Sequence, residues 1–277
     1  MVEISHEPRH ASVYTVSANR SFVDVLAAGL LDETADDKLR LADYTILLPT
    51  RRACRALTEA FLRQRGGAPL VLPALRALGD TDEEGMALEE MPGLDLATLP
   101  PVMPEIRRIL ALANRILTWR SAAGGEREFV SAPEHAFLLA GELARFLDQV
   151  QTERLSFEGL DALVPEDLAA HWQETLEFLR HFTELWPLEV KALGFLEPIE
   201  RRNRLLEAKA RQWQDNPPDG EIIAAGSTGS IPATADLLTV ITGLPRGRII
   251  LPGLDIQSNA ENWSAIEREP THPQFAM

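Results

Sequence analysis

Cysteine is almost absent from this chain of 277 residues, since Cys54 is the only one. A single cysteine can form neither an intrachain disulfide nor a cysteine-based metal site, and such rarity is typical of a reducing compartment. No apolar run approaches the roughly 18 residues of a membrane-spanning helix, and the first ten residues lack the apolar core of a signal peptide. We therefore expect a cytoplasmic protein without a membrane partner.

Basic residues are also scarce. The chain has 27 lysines and arginines against 42 aspartates and glutamates, which gives a net charge of -15. A free-standing protein that binds DNA without sequence preference usually has a basic surface, so the charge argues against that class. A local basic groove is still compatible with this composition. Hydrophobic residues make up 45% of the chain, which predicts an ordinary packed core.

Short apolar runs bounded by turn residues predict five strands, of which the last two read as buried on both faces. We expect these strands at Val13–Val16, Tyr44–Leu48, Leu70–Leu72, Ile222–Ala225 and Arg248–Leu251. Helical patterns separate most of the runs, as βαβ units require. The sequence therefore predicts an α/β fold with a parallel sheet, in which function is expected at the carboxyl ends of the strands.

A large helical insertion interrupts the predicted sheet. Apolar residues at helical spacing predict helices at about 106–117, 133–151, 172–186 and 199–213, with a short turn of helix at 157–163. We therefore divide the chain into a first α/β part (1–101), a helical subdomain (102–215), a second α/β part (216–255) and a tail (256–277). Because a sheet of this size would normally continue, we expect the chain to be part of something longer.

Two groups of potential metal ligands have simpler explanations. The segment 75–101 combines acidic residues with glycine and proline, which predicts a long exposed loop. Asp82 and Glu83 within it could bind a metal, but no histidine is nearby and a solvated loop explains them better. His135, His171 and His181 lack ligand-spaced partners and are better explained as cap or surface residues. We therefore predict no metal site.

The turn after the first strand lies where a phosphate-binding loop would be. Its residues Asn19, Arg20 and Ser21 do not form GxxxxGK[ST], the loop whose backbone N–H groups and lysine hold nucleotide phosphates. At the end of the fourth strand, Ala225 stands where a nucleotide-hydrolysing enzyme would place a metal-holding acid. These four residues predict a degenerate nucleotide site, and we expect no cofactor.

Arg51, Arg52 and Arg55 crowd the first turn of the helix predicted at 51–64, with Thr50 as its cap. Because cations are disfavoured at the positive end of a helix dipole, the cluster indicates an anionic partner or nearby carboxylates. A solvated surface is the alternative. The turn at 226–230 allows two explanations as well: a ligand site, or only a helix cap formed by Thr228 or Ser230.

Five stretches of the sequence carry a resemblance to a known family. They are LADYTILLPTRRACRALTEAFL (41–62), LVPEDLAAHWQETLEFL (163–179), EPIERRNRLLEAKARQW (197–213), IIAAGSTGSIPATADLLTVI (222–241) and EPTHPQF (269–275). With them the chain resembles the N-terminal region of the AddB subunit of bacterial AddAB helicase-nucleases, in the alphaproteobacterial style. The resemblance covers nearly all of the chain, and the stretch 222–241 is its most specific part.

The resemblance implies a RecA-like (P-loop helicase-like) domain in a complex that repairs double-strand breaks by recombination. It also implies two partners, single-stranded DNA and an AddA-type motor helicase-nuclease subunit. The whole complex would be an ATP-dependent exonuclease and helicase, but the iron–sulfur cysteines and the nuclease motif of AddB-type subunits are missing here.

Thr50, Arg51 and Arg52 follow the second strand, where helicases of this plan touch the DNA backbone. Together with Arg55 and Thr228 they are the candidate DNA-binding residues. We therefore expect a non-hydrolytic, non-catalytic module that binds single-stranded DNA and the motor subunit. Two alternatives stay open: an active ATP-dependent helicase domain with divergent motifs, and a purely structural scaffold.

Overall fold

Five parallel strands form a sheet in the structure, a computed structural model that describes residues 13–37, 39–78, 99–122, 132–155, 169–269, 271–272 and 274–275. The strands are β1 (Val13–Val16), β2 (Tyr44–Leu48), β3 (Ala74–Ala77), β4 (Glu221–Ala225) and β5 (Gly247–Pro252), in the order β1-β5-β4-β2-β3. The predicted α/β class with a parallel sheet is confirmed. β1 and β2 have the predicted bounds, and β4 and β5 each extend slightly beyond them.

Helices account for most of the remaining described residues. They are α1 (Phe22–Glu33), a 3-10 turn (Arg40–Asp43), α2 (Arg51–Gln64), α3 (Glu105–Ala122), α4 (Pro133–Thr152), α5 (Ala169–Arg180), a π-helical segment (His181–Leu185), α6 (Trp186–Ala192), α7 (Pro198–Asp215), α8 (Pro232–Gly243) and α9 (Ala260–Ile266). The helices predicted at 51–64, 106–117, 133–151 and 199–213 are confirmed, whereas the turn predicted at 157–163 lies outside the described residues.

The third strand is not where the sequence predicted it. Leu70–Leu72 lies outside the sheet, and β3 begins at Ala74, directly after Pro73. Leu70 and Leu72 pack against the core without joining the hydrogen-bonded ladder, while Val71 is exposed. The apolar residues at 70–72 therefore indicate packing on the core, not membership of a strand. The predicted exposed loop also starts too early, because Leu75 is partly buried and Leu78 is buried; residues 79–98 lie outside the described part.

The helix predicted to end near Pro187 continues to Ala192. Here α5 passes into the π-helical segment, and Pro187 lies in the first turn of α6. A proline inside a continuous helical run removes one N–H donor and crowds the preceding turn, and the π-helical segment is that preceding turn. The wider π-helical turn thus lets the chain stay helical past a residue that usually ends a helix.

Alternating side chains of the strands fill two apolar layers, one on each face of the sheet. On one face, Ile46, Ile223 and Ala225 pack with the buried sides of α1 and α2. On the other face, Leu47, Ala224 and Ile249 pack with α8 and with the C-terminal half of α7. Burial on both faces explains why β2 and β4 are mostly apolar, whereas Val13 and Tyr14 of the edge strand β1 are exposed.

Contacts divide the chain into two units, residues 1–94 with 205–277, and residues 95–204. The first unit contains the sheet and its two layers. The second unit has a core of its own, to which α3, α4, the π-helical segment and α6 contribute; Leu112, Leu143, Phe182 and Trp186 are among its buried side chains. Arg108 is buried in this unit and pairs with Glu197 and Asp148.

Among the described residues, no helix combines the length and the apolar character that a membrane crossing requires.

Candidate functional site

The connections that follow β2 and β4 leave these neighbouring strands towards opposite faces of the sheet. β2 and β4 pair in parallel from Tyr44 and Glu221 to Leu47 and Ala224. After β2 the chain enters α2 on the α1 side, whereas after β4 it enters α8 on the other side. Neighbouring strands whose connections part in this way leave a crevice at their carboxyl ends, where open α/β sheets bind ligands.

A crevice of about 170 Å³ lies at this point. Its described lining residues are Pro49, Leu78, Gly226, Ser227, Thr228, Ser230, Ile231 and Thr234. Pockets for drug-sized ligands span roughly 300–1,000 Å³, so this crevice fits a small chemical group better than a whole nucleotide. The structure thus brings Thr228, a predicted site residue, together with Pro49, the residue that precedes Thr50. We call this the switch-point crevice.

The turn between β4 and α8 does not serve as a helix cap. The N-cap residue of α8 is Ile231, and no side chain caps the helix, so the prediction that Thr228 or Ser230 caps it is wrong. Pro232 suits the first helical position and places the start of α8 after both hydroxyl residues. Capping of α8 therefore does not explain the serine and threonine residues of this turn.

Gly226 ends β4 with a left-handed backbone, at φ 76°. A Cβ atom at this position would lie 3.2 Å from Cε1 of Phe22, closer than usual packing allows. Glycine is the residue that adopts this conformation without a steric penalty. The sharp turn into the crevice therefore depends on glycine at the end of β4.

The start of α2 contributes the basic residues of the candidate site. Thr50 caps the helix as predicted, since its hydroxyl accepts the backbone N–H of Ala53 at 3.1 Å. Thr50, Arg51, Arg52 and Arg55 are all exposed. Arg51 has an interaction of its own within the chain. In the described part of the chain, neither Arg52 nor Arg55 forms a salt bridge. Their positive charges at the N-terminus of α2 are therefore not balanced by a carboxylate of a described residue.

The turn that contains Asn19, Arg20 and Ser21 is exposed and holds an internal carboxylate at the start of α1. The Ser21 hydroxyl donates to Oδ2 of Asp24 at 2.6 Å, and Arg63 forms a salt bridge with Asp24 at 2.7 Å. The bond from Ser21, followed by the contact with Arg63, holds the pKa of Asp24 below its usual range. A carboxylate paired with Arg63 therefore lies at the helix end that would otherwise attract phosphate.

An aromatic side chain lies between the two halves of the degenerate nucleotide site. Phe22, the first residue of α1, contacts the end of β4 beside Gly226 and packs against the same apolar cluster as the fully buried Ala225. Sequence reasoning missed Phe22 and Asp24, although an acid three residues after Ser21 is a recognisable helix-start signal.

Sequence reasoning also missed Leu78, Ile231 and Thr234 as crevice residues. The position of Leu78 in the sequence carries no local signal, because this residue reaches the crevice through the register of β3 with β2. Thr234 could have been noticed as a polar residue on the apolar side of α8, where its neighbours Ala233, Leu237 and Leu238 are buried.

The described residues contain no group of three or more histidine, cysteine, aspartate or glutamate side chains that could hold a metal ion. His135 is exposed. His181 is partly buried, and burial, together with the nearby positive charge of Arg115, lowers its pKa. Asp82, Glu83 and the side chain of His171 lie outside the described part.

No protein-family model matches this chain, and no curated protein matches it. The structure defines the class as an α/β protein with a five-stranded parallel sheet and a small crevice at a topological switch point. The resemblance to AddB-type subunits stays a prediction.

Proposed function

We propose that this chain is a non-hydrolytic, RecA-like module of a cytoplasmic AddAB-type helicase-nuclease that repairs DNA double-strand breaks. In this role it binds single-stranded DNA and an AddA-type motor subunit, and it needs no cofactor of its own. The observation that carries the proposal is the switch-point crevice, which Thr228 lines and beside which Pro49 leads into Thr50, Arg51 and Arg52.

The DNA path runs along the carboxyl ends of β2 and β4. Arginine side chains form charge-assisted hydrogen bonds with phosphates, and contacts of this kind position a nucleic acid without reading its sequence. Arg52 and Arg55 are exposed on α2, directly after the end of β2. The net charge of -15 opposes DNA binding, so the chain alone binds weakly and at low salt, and other domains complete the path in the assembled complex.

The module does not hydrolyse ATP. Ser21 and Arg63 bind the Asp24 carboxylate at the start of α1 in place of a phosphate, and Phe22 packs beside the end of β4 against the cluster that contains Ala225. Both observations favour the non-hydrolytic module over an active helicase domain with divergent motifs.

Fluorescence anisotropy of a labelled single-stranded oligonucleotide, measured across a salt series, tests the DNA-binding role. We expect Arg52→Ala combined with Arg55→Ala to weaken binding by roughly 1–3 kcal/mol if both side chains form charge-assisted bonds to phosphate. The slope of log affinity against log salt should fall by about 0.7 for each lost contact, because fewer counterions are released. Arg51 is left unchanged because of its interaction within the chain.

The matched control is Arg145→Ala combined with Arg211→Ala, which removes the same charge from two side chains that are more than 70% exposed. The proposal requires that this control changes binding less than the Arg52 and Arg55 pair. If the two double variants weaken DNA binding equally, the chain binds DNA through its overall charge and not through a site at Arg52 and Arg55. Unchanged binding in the Arg52 and Arg55 variant, both by the chain and by the assembled complex, would favour the structural scaffold.

A further inference from the structure

Four hydroxyl side chains line the switch-point crevice: Ser227, Thr228, Ser230 and Thr234. Within the described part of the chain, none of these hydroxyls takes part in a hydrogen bond. Thr234 is the most telling, because only 7% of the residue is exposed. The hydroxyl of so buried a residue normally bonds to protein or to water that reaches it, since losing those bonds without replacement costs free energy.

Other threonines of the same helix behave differently. Thr239 donates to the carbonyl of Ala235 at 2.9 Å, and Thr242 donates to the carbonyl of Thr239 at 2.7 Å. Such bonds back to the preceding turn are the ordinary solution for threonine in a helix. Thr234 forms no such bond among the described residues and lines the crevice instead. The Thr234 hydroxyl can therefore form a hydrogen bond with a ligand in the crevice.

The backbone next to these hydroxyls also has unused donors. In the loop 227–230, no backbone N–H group is bonded to another described residue. The loop leads into the N-terminus of α8, a helix of 12 residues whose dipole places partial positive charge there. Pro232, the first residue of α8, has no N–H group, so the donors here come from the loop; successive N–H groups in a turn form a concave surface that attracts anions.

We propose that the switch-point crevice binds one phosphate group. The hydroxyls of Ser227, Thr228 and Thr234 and the backbone N–H groups of the loop donate to its oxygens. No carboxylate is among the described lining residues, and the volume of about 170 Å³ suits a single tetrahedral oxyanion. This phosphate belongs either to the backbone of single-stranded DNA or to free inorganic phosphate. In the first case the inference rests on the proposed function.

Titration of the isotope-labelled chain with inorganic phosphate, against chloride at the same ionic strength, tests this site by amide chemical shifts. We expect saturable shifts concentrated at residues 226–234. Thr234→Val combined with Ser227→Ala should weaken binding about a hundredfold, since each of the two lost charge-assisted hydrogen bonds contributes about tenfold. Thr239→Val is the control, because it removes a hydroxyl from the same helix outside the crevice.

A parallel titration with a short single-stranded oligonucleotide separates the two sources of phosphate. Shifts at 226–234 with both ligands, or with the oligonucleotide alone, assign the crevice to a DNA strand. Shifts with inorganic phosphate alone support the site but not the DNA-binding role. If neither ligand shifts these amides while the spectrum shows a folded chain, the phosphate site is wrong. DNA binding that depends on Arg52 and Arg55 would then still stand.

Discussion

Gly247, the first residue of β5, is the position where one added methyl group should damage this fold most. A Cβ atom there would lie 1.9 Å from the carbonyl oxygen of Ile241 and 2.9 Å from Cβ of Leu244. Both neighbours belong to the end of α8 and the turn after it, so relief requires the strand or the helix end to move by well over an ångström. β5 lies between β1 and β4, which resists such a movement. We expect Gly247→Ala to cost about 3 kcal/mol or more, at the upper end of the range for overpacking.

Gly29→Ala is the matched control, because it adds the same methyl group inside α1, at an exposed position with open space around it. Alanine favours a helix interior over glycine by roughly 0.5–1 kcal/mol, so this variant should be more stable than the parent. Hydrogen exchange of β4 and β5 amides reports the sheet unit by itself, which matters because two units can unfold separately. A Gly247→Ala protein within about 0.5 kcal/mol of the parent would refute the steric argument.

Three further outcomes are expected. Phosphate release with ATP and magnesium should stay at background for the pure chain, and turnover that a change at Ser21 abolishes would contradict the proposal. Burial raises the pKa of Glu33, but bonds from Arg248 and Tyr44 outweigh it and hold the pKa below its usual value. Glu33→Gln should therefore lower stability near neutral pH, and in urea unfolding this difference should vanish as the pH falls through that lowered pKa. Arg108→Ala should destabilise the second unit by roughly 3–5 kcal/mol in thermal or urea unfolding, because it leaves Glu197 buried without its partner; an unchanged midpoint would show that this pair is not needed.

The local pattern of apolar residues was enough to locate four of the five strands and most helices. This succeeds because a strand buried on both faces must be apolar along its length, and a helix must repeat its apolar residues at its own period. The same local reasoning recognised Thr50 as a cap, since a cap bond joins residues only three positions apart. The sequence itself also showed that the turn after the first strand lacks the phosphate-loop motif and that Ala225 replaces a metal-holding acid.

Tertiary structure alone decided the rest. The position of β3 depends on its register with β2, and Leu70–Leu72 is apolar because it packs on the core, not because it pairs. The contact of Phe22 with the end of β4 and the convergence of Leu78 and Thr234 on one crevice join parts of the chain that are far apart in sequence. Local periodicity reports which side of a segment is buried, whereas strand order and register determine which distant side chains meet, and for that reason the crevice became visible only in the folded chain.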